Sequence, residues 1–183
     1  MGSLGMNSET QPDPATEATV TAERLVSAFN GLRDELVSTL WFLLGNQEDA
    51  QDAAQDAFLK CWRTRDQLHR VENLRAWIFR VGLNAAKDLR RSAWRRRAKR
   101  LQGEEIMLTG RDAPPGQALE QQEALARLRQ AIVYLRPDEK EVFLLRQNGD
   151  LTYEQIAEMR RSPVGTVKTQ MRSALQKLRH HLT

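Results

Sequence analysis

Three histidines, His69, His180 and His181, and a single cysteine, Cys61, are the residues of this chain that could ligate a metal or attack a substrate. Their placement argues against both. His180 and His181 are adjacent, so they do not share a helix face as a ligand pair would. Cys61 falls on an apolar helical stripe, where a structural thiol is expected, and as the only cysteine it can form no internal disulfide. The sequence contains no glycine-rich phosphate loop, no Cys-x-x-Cys pair and no plausible triad. It therefore predicts no catalytic residues, no metal site and no cofactor, and points to a binding protein rather than an enzyme.

What the sequence offers instead is recognition through patterned charge. The net charge is only +4 over 183 residues. Its distribution is more informative. Lys87, Arg90, Arg91, Arg95, Arg96, Arg97, Lys99 and Arg100 crowd one stretch against a single acid, Asp88. A second basic stretch, Arg160, Arg161, Lys168, Arg172, Lys177 and Arg179, runs to the C-terminus without an acid. Between them in sign lie Glu48, Asp49, Asp52 and Asp56, facing Lys60. Two separated basic patches suit a polyanion held at two places. The acidic patch suits a different, basic partner. No run approaches the roughly 20 apolar residues of a membrane span, and no secretory signal pattern is visible at the N-terminus.

The elements that must position these groups all read as helices. Residues 1–19, rich in Ser, Thr, Pro, Gly and acids, are expected to be a disordered tail. Leu25, Phe29, Leu32, Leu36, Leu40 and Leu43 then recur at helical spacing, ending at Gly45. Asn46 is placed to cap a second helix. One face of it carries Ala50, Ala53, Ala54, Ala57, Phe58, Cys61 and Trp62, and another carries Asp52, Asp56, Leu59 and Arg63. Residues 67–72 read as a polar loop. Asn73 can cap a third helix that buries Leu74, Trp77, Ile78, Val81, Ala85 and Leu89. Its outer stripe is Arg80, Asn84, Lys87 and Arg91, beside Phe79 and Leu83, with Trp94 beyond. Basic groups track phosphates and aromatic faces stack on unpaired bases, so this mixture favours separated strands. Trp77, on the buried stripe, is expected to be core.

Gly110, Pro114, Pro115 and Gly116 mark a linker. Beyond it a helix with Leu125, Leu128, Ile132 and Leu135 inward runs to Arg136-Pro137, and Pro137 opens the next, ending near Asn148-Gly149. Thr152 and Gln155 have capping-box spacing for a short helix to about Arg160. Ser162-Pro163 is expected to cap the last helix, which buries Val164, Val167, Met171, Leu175 and Leu178. Short helix, turn and longer basic helix form the helix-turn-helix plan, which sets side chains against base edges in the major groove. Lys168, Thr169, Arg172, Ser173 and Gln176 face outward for that purpose.

Three segments resemble one protein family. GNQEDAQDAAQDAFLKCWRTRDQL is similar to the core-polymerase-binding helix of extracytoplasmic-function (ECF) sigma factors, which belong to the sigma-70 family. NLRAWIFRVGLNAAKDLRR resembles their minus-10 promoter helix. LRPDEKEVFLLRQNGDLTYEQIAEMRRSPVGTVKTQMRSALQKL resembles their minus-35 helix-turn-helix. The matches span most of residues 22–182, in the family's order.

The resemblance implies an all-α chain of two small helical domains joined by a flexible linker. Region 2 would occupy residues 20–100, the linker 101–117 and region 4 residues 118–183. Asp52, Gln55, Asp56 and Leu59 match positions that bind the coiled coil of the largest polymerase subunit. Asn73, Arg80, Asn84, Lys87 and Arg91 match the minus-10 side. Lys168, Thr169, Arg172, Ser173 and Gln176 match the minus-35 reading face. The implied partners are core RNA polymerase, through that coiled coil and its flap, and promoter DNA, duplex and melted. An anti-sigma protein is a further candidate, and the implied compartment is the cytoplasm, with no membrane insertion. The chain departs from the family where Arg160, Arg161 and Ser162 replace a leucine, a glycine and an apolar residue. It departs again where Gln170 and Ser173 stand in for arginines. The runner-up expectation is a stand-alone helix-turn-helix regulator, which would bind duplex DNA as a dimer. No obvious dimerisation heptad supports it.

Overall fold

A computed structural model describes residues 14–100 and 119–182 of the chain. Every α-helix predicted from the pattern is present among them. The first half holds α1 (Pro14–Leu44), α2 (Gln47–Arg63), a 3-10 turn (Arg65–Arg70) and α3 (Leu74–Arg100). The second holds α4 (Leu119–Val133), α5 (Pro137–Gln147), α6 (Tyr153–Arg160) and α7 (Val164–Leu182). No strand occurs among the described residues, so the all-α expectation stands. The expected linker, 101–117, lies outside the described residues, as does the tail up to residue 13. Residues 14–19, read from composition as tail, are the first turns of α1. Proline suits the opening turn of a helix, and Glu17 lies near its positive end.

Local signals explain where the helices stop. Gly45 adopts φ 77° and donates its N–H to the Trp41 carbonyl at 2.7 Å, ending α1. Asn46 Oδ1 then accepts from the N–H groups of Glu48 and Asp49 at 2.8 and 3.3 Å. Thr152 and Gln155 form both arms of their capping box, at 2.9 and 3.2 Å. Ser162 does not cap α7. Its hydroxyl is buried with no hydrogen-bond partner, and the Pro163 carbonyl takes the first bonds instead, from Thr166 and Val167. The reason lies in the turn: Arg161 is left-handed at φ 51°, which draws the Ser162 N–H back to the Ala157 carbonyl at 3.0 Å.

Region by region, the cores follow the predicted stripes with one exception. Leu25, Phe29, Leu32, Leu36 and Leu40 of α1 are buried against Ala50, Ala53, Ala54, Ala57 and Cys61 of α2. Phe29 meets Phe58 edge-on, ring centres 5.0 Å apart. The exception is α3. It packs against both α1 and α2, so a second stripe, Phe79, Leu83 and Ala86, is buried beside Ile78 and Ala85. At Gly82 the helices approach so closely that an added Cβ would lie 2.7 Å from Leu36 Cδ1.

The two halves touch. Phe42 and Leu43, at the end of α1, pack against the second half's core of Ala131, Ile132, Leu135, Leu144, Ala174 and Leu178. Asn148 donates its amide to Thr39 Oγ1 at 3.1 Å. Arg75 donates to the main-chain carbonyls of Asn148 and Gly149 at 3.3 and 3.1 Å. No helix of the described residues is long and apolar enough to cross a membrane.

Candidate nucleic-acid interface and partner-binding ridge

The acidic ridge lies along the outer face of α2, positioned by the alanines that sink the opposite face. Asp52 and Gln55 are exposed, and Leu59 stands 41% exposed between charges. Asp56 is half-buried and pairs with Lys60, one turn on, at 2.9 Å. Lys60 also reaches Asp88 on α3 at 3.4 Å. The Asp56 hydrogen bond holds the Lys60 ammonium above its ordinary value. Asp52 and Gln55 have no such partner among the described residues. A surface-exposed apolar residue flanked by acids suits a partner that is both basic and partly apolar.

Beside the ridge, between the 3-10 turn and α3, opens a cleft of about 550 Å³. Its walls are Lys60, Thr64, Gln67 and Arg70 on one side and Trp77, Arg80, Val81 and Asn84 on the other. Trp77, Arg80 and Asn84 line one α3 face by their spacing of three and four residues. One expectation is overturned. Trp77, expected in the core, packs against it half-buried and also lines the cleft, while Phe79, expected beside the polar ridge, is 0% exposed. The wedge of α3 between α1 and α2 is the cause. Leu83 is buried with Phe79 for the same reason. The residues expected from sequence separate accordingly. Arg80 and Asn84 line the cleft, and Lys87 and Arg91 continue its exposed face. Asn73 is spent on capping: its Oδ1 accepts from the Ala76 N–H at 2.9 Å. Trp94 stands 70% exposed further along.

Sequence reading missed Lys60, Thr64, Gln67, Arg70 and Trp77 as cleft residues. The turn was legible only as polar. What fixes it is Arg65, which lies over the Trp62 ring at 4.7 Å and donates to the Trp62 carbonyl at 2.9 Å. Leu68 is buried beneath.

On the second half, α7 presents Lys168, Thr169, Arg172 and Gln176, all exposed. Ser173 faces the other way. Its hydroxyl donates to Glu139 Oε1 at 2.8 Å, and Lys177 reaches both oxygens of that carboxylate at 2.8 Å. Glu139 is 4% exposed. Burial alone would raise its carboxyl, but Lys177, Ser173 and the Arg136 N–H together hold it below its ordinary value. The carboxylate thus pins α7 to the start of α5. Among the described residues no cluster of His, Cys, Asp and Glu could hold a metal ion. The Cys61 thiol is buried, which pushes it up to about 12.

Two stretches of the chain match known family models, one in each half. Residues 28–96 match Sigma-70 region 2, and residues 125–178 match Sigma-70, region 4. The ECF RNA polymerase sigma factor RpoE of Cereibacter sphaeroides is 32% identical over 141 residues, covering 73% of this chain and 72% of that protein. The RNA polymerase sigma-H factor of Pseudomonas aeruginosa is 29% identical over 133 residues, 68% of each chain. In fold, the chain resembles the sigma factor RpoE of Bartonella quintana, solved in complex with the anti-sigma factor NepR. The TM-score is 0.70 at 22% identity, over 88% of this chain and 95% of that one.

Proposed function

Because this chain belongs to the sigma-70 family, as an ECF sigma factor that binds core RNA polymerase and directs promoter recognition and melting, we propose how its surfaces divide that work. The ridge of Asp52, Gln55, Asp56 and Leu59 meets the coiled coil of the largest polymerase subunit. The cleft of Trp77, Arg80 and Asn84, continued by Lys87 and Arg91, takes the minus-10 strand as it separates. Lys168, Thr169, Arg172 and Gln176 read the minus-35 duplex. The second half also meets the polymerase flap. An anti-sigma protein, of the kind bound to the Bartonella relative, completes the partners, and the compartment is the cytoplasm.

The observation that carries this reading is the cleft. It combines the Trp77 side chain, the Gln67 and Asn84 amides and two guanidinium groups, Arg70 and Arg80, around one space of about 550 Å³. The guanidinium groups hold phosphate in any sequence. The indole stacks on a base only when the base has left its pair. Binding energy from such stacking accrues to the melted state alone, so it shifts the closed-to-open equilibrium toward melting. No bond is made or broken by the protein.

Transcription from a promoter library with purified core polymerase tests the whole assignment. The expected result is start sites preceded by two short selected elements. Asp52→Lys with Asp56→Lys should abolish co-purification with core enzyme while the chain stays helical. Unchanged co-purification would remove the ridge from the reading.

A further inference from the structure

The turn between α6 and α7 holds two arginines, and the structure gives them opposite roles. Arg160 is 11% exposed and is tied inward. Its Nη2 lies 3.1 Å from Asp138 Oδ1 and its Nε 3.7 Å from Glu141 Oε1, both on α5. Its Nη1 donates to Gln170 Oε1 on α7. Arg161 is exposed, and its side chain makes no hydrogen bond or ion pair among the described residues. Its backbone lies at φ 51° and ψ 47°, in the left-handed region. That conformation closes α6: the Arg161 N–H returns to the Glu158 carbonyl at 3.1 Å and the Ser162 N–H to that of Ala157 at 3.0 Å. Glycine usually fills such a position, because a Cβ there crowds a carbonyl oxygen, and the family pattern has glycine at it. Asp150 is left-handed too, but aspartate visits that region readily and arginine does not. The chain thus carries backbone strain at the exposed cation of this turn.

The place of the turn supplies a reason. In a helix-turn-helix the first helix crosses the sugar–phosphate backbone and the start of the second enters the groove. A residue between them lies where backbone and groove meet. Arg161 stands three residues before Val164, the first of α7, and Lys168 and Arg172 beyond it are exposed. A guanidinium offers its donors as a planar fork that fits two oxygens of a phosphate. We propose that Arg161 is an additional phosphate-binding residue of the minus-35 interface, a contact that a glycine at this position could not make. It adds affinity and fixes register, and it reads no base. This rests on the assignment of α7 as the minus-35 reading helix.

The test titrates holoenzyme onto a labelled duplex carrying the minus-35 element selected by the transcription library, from about 50 to 200 mM salt. Arg161→Gly should have two effects of opposite sign. The chain should melt a few degrees higher, because glycine relieves the left-handed strain. The duplex should bind several-fold more weakly at low salt, with the slope of log K on log salt smaller by about 0.9. Arg161→Asn, which tolerates this backbone without a charge, should lose the same slope. Arg161→Lys should keep it. The selected element should be the same for all three. An Arg161→Gly slope equal to that of the unaltered protein overturns the proposal. So does a changed base preference at one position, since Arg161 would then be reading a base. Lys168→Ala separates this proposal from the reading beneath it. If Lys168→Ala lowers the slope where Arg161→Gly does not, the proposal alone falls. If neither lowers it, or if the library yields no minus-35 element, the α7 assignment falls as well.

Discussion

The ammonium of Lys87, on α3, lies 3.1 Å from Oε1 of Glu141, on α5. One of the residues proposed to meet minus-10 phosphates is therefore held by the opposite half of the chain. Glu141→Gln should release it. Lys87 is 48% exposed, so losing its pair should cost under about 1 kcal/mol, with a further cost because the same carboxylate lies 3.7 Å from Arg160 Nε, both side chains largely buried. Binding to a forked minus-10 DNA, followed by fluorescence anisotropy at low salt, should tighten. Equal affinity in both proteins would show that the pair does not compete with DNA.

The cleft and the core of α3 can be told apart by two aromatic truncations. Trp77→Ala should weaken binding of single-stranded minus-10 DNA by about 1–3 kcal/mol, as expected for a lost base stack. Phe79 is fully buried, so Phe79→Ala should cost about 3–5 kcal/mol of stability. Paired measurements of denaturant midpoint and oligonucleotide affinity check the assignment. It fails if Trp77→Ala leaves affinity intact.

Glu139 links the reading helix to acid stability. Its carboxyl is held below the ordinary value in the fold, so the unfolded chain takes up the proton first. The stabilisation is present in full above the unfolded value of about 4.3 and is lost as pH falls through the lower folded value. Glu139→Gln should lower stability at neutral pH by about 1–3 kcal/mol, since it leaves Lys177 and Ser173 without their carboxylate. The difference between the two proteins should shrink below about pH 4. Thermal unfolding at stepped pH measures it, and a constant difference down to acid would contradict the pinning role.

The Cys61 thiol, pushed up to about 12 by burial, carries almost no thiolate near neutral pH. Native protein should resist iodoacetamide and react fully in denaturant. Rapid labelling of the folded chain, read by mass spectrometry, would place the thiol outside the α1–α2 core.

Much of this was legible from spacing. The α1 stripe and the alanine face of α2 follow the helical period, and the Asn46 cap and the Thr152–Gln155 box join residues within three positions, so sequence displays them directly. The acidic ridge is legible too, because sinking one face of α2 exposes the other. Phe79 departs from its expected place for a different reason. Periodicity finds one buried stripe, but α3 lies between two helices and buries two adjacent ones, a fact of packing rather than of period. Ser173 reads as outward from its position, yet its hydroxyl turns to Glu139, 34 residues earlier. The Arg160 contacts likewise join positions 10 and 22 residues apart. The loss of leucine was visible in sequence; the polar contacts that replace it depend on the fold.

Phe42 and Leu43, in the last turn of α1, also cover the second core. A fragment ending before α4 would carry both as a bare greasy knob, and should self-associate where the intact chain stays monodisperse. Engineers who wish to isolate the first half for binding work would do well to blunt that knob with polar replacements.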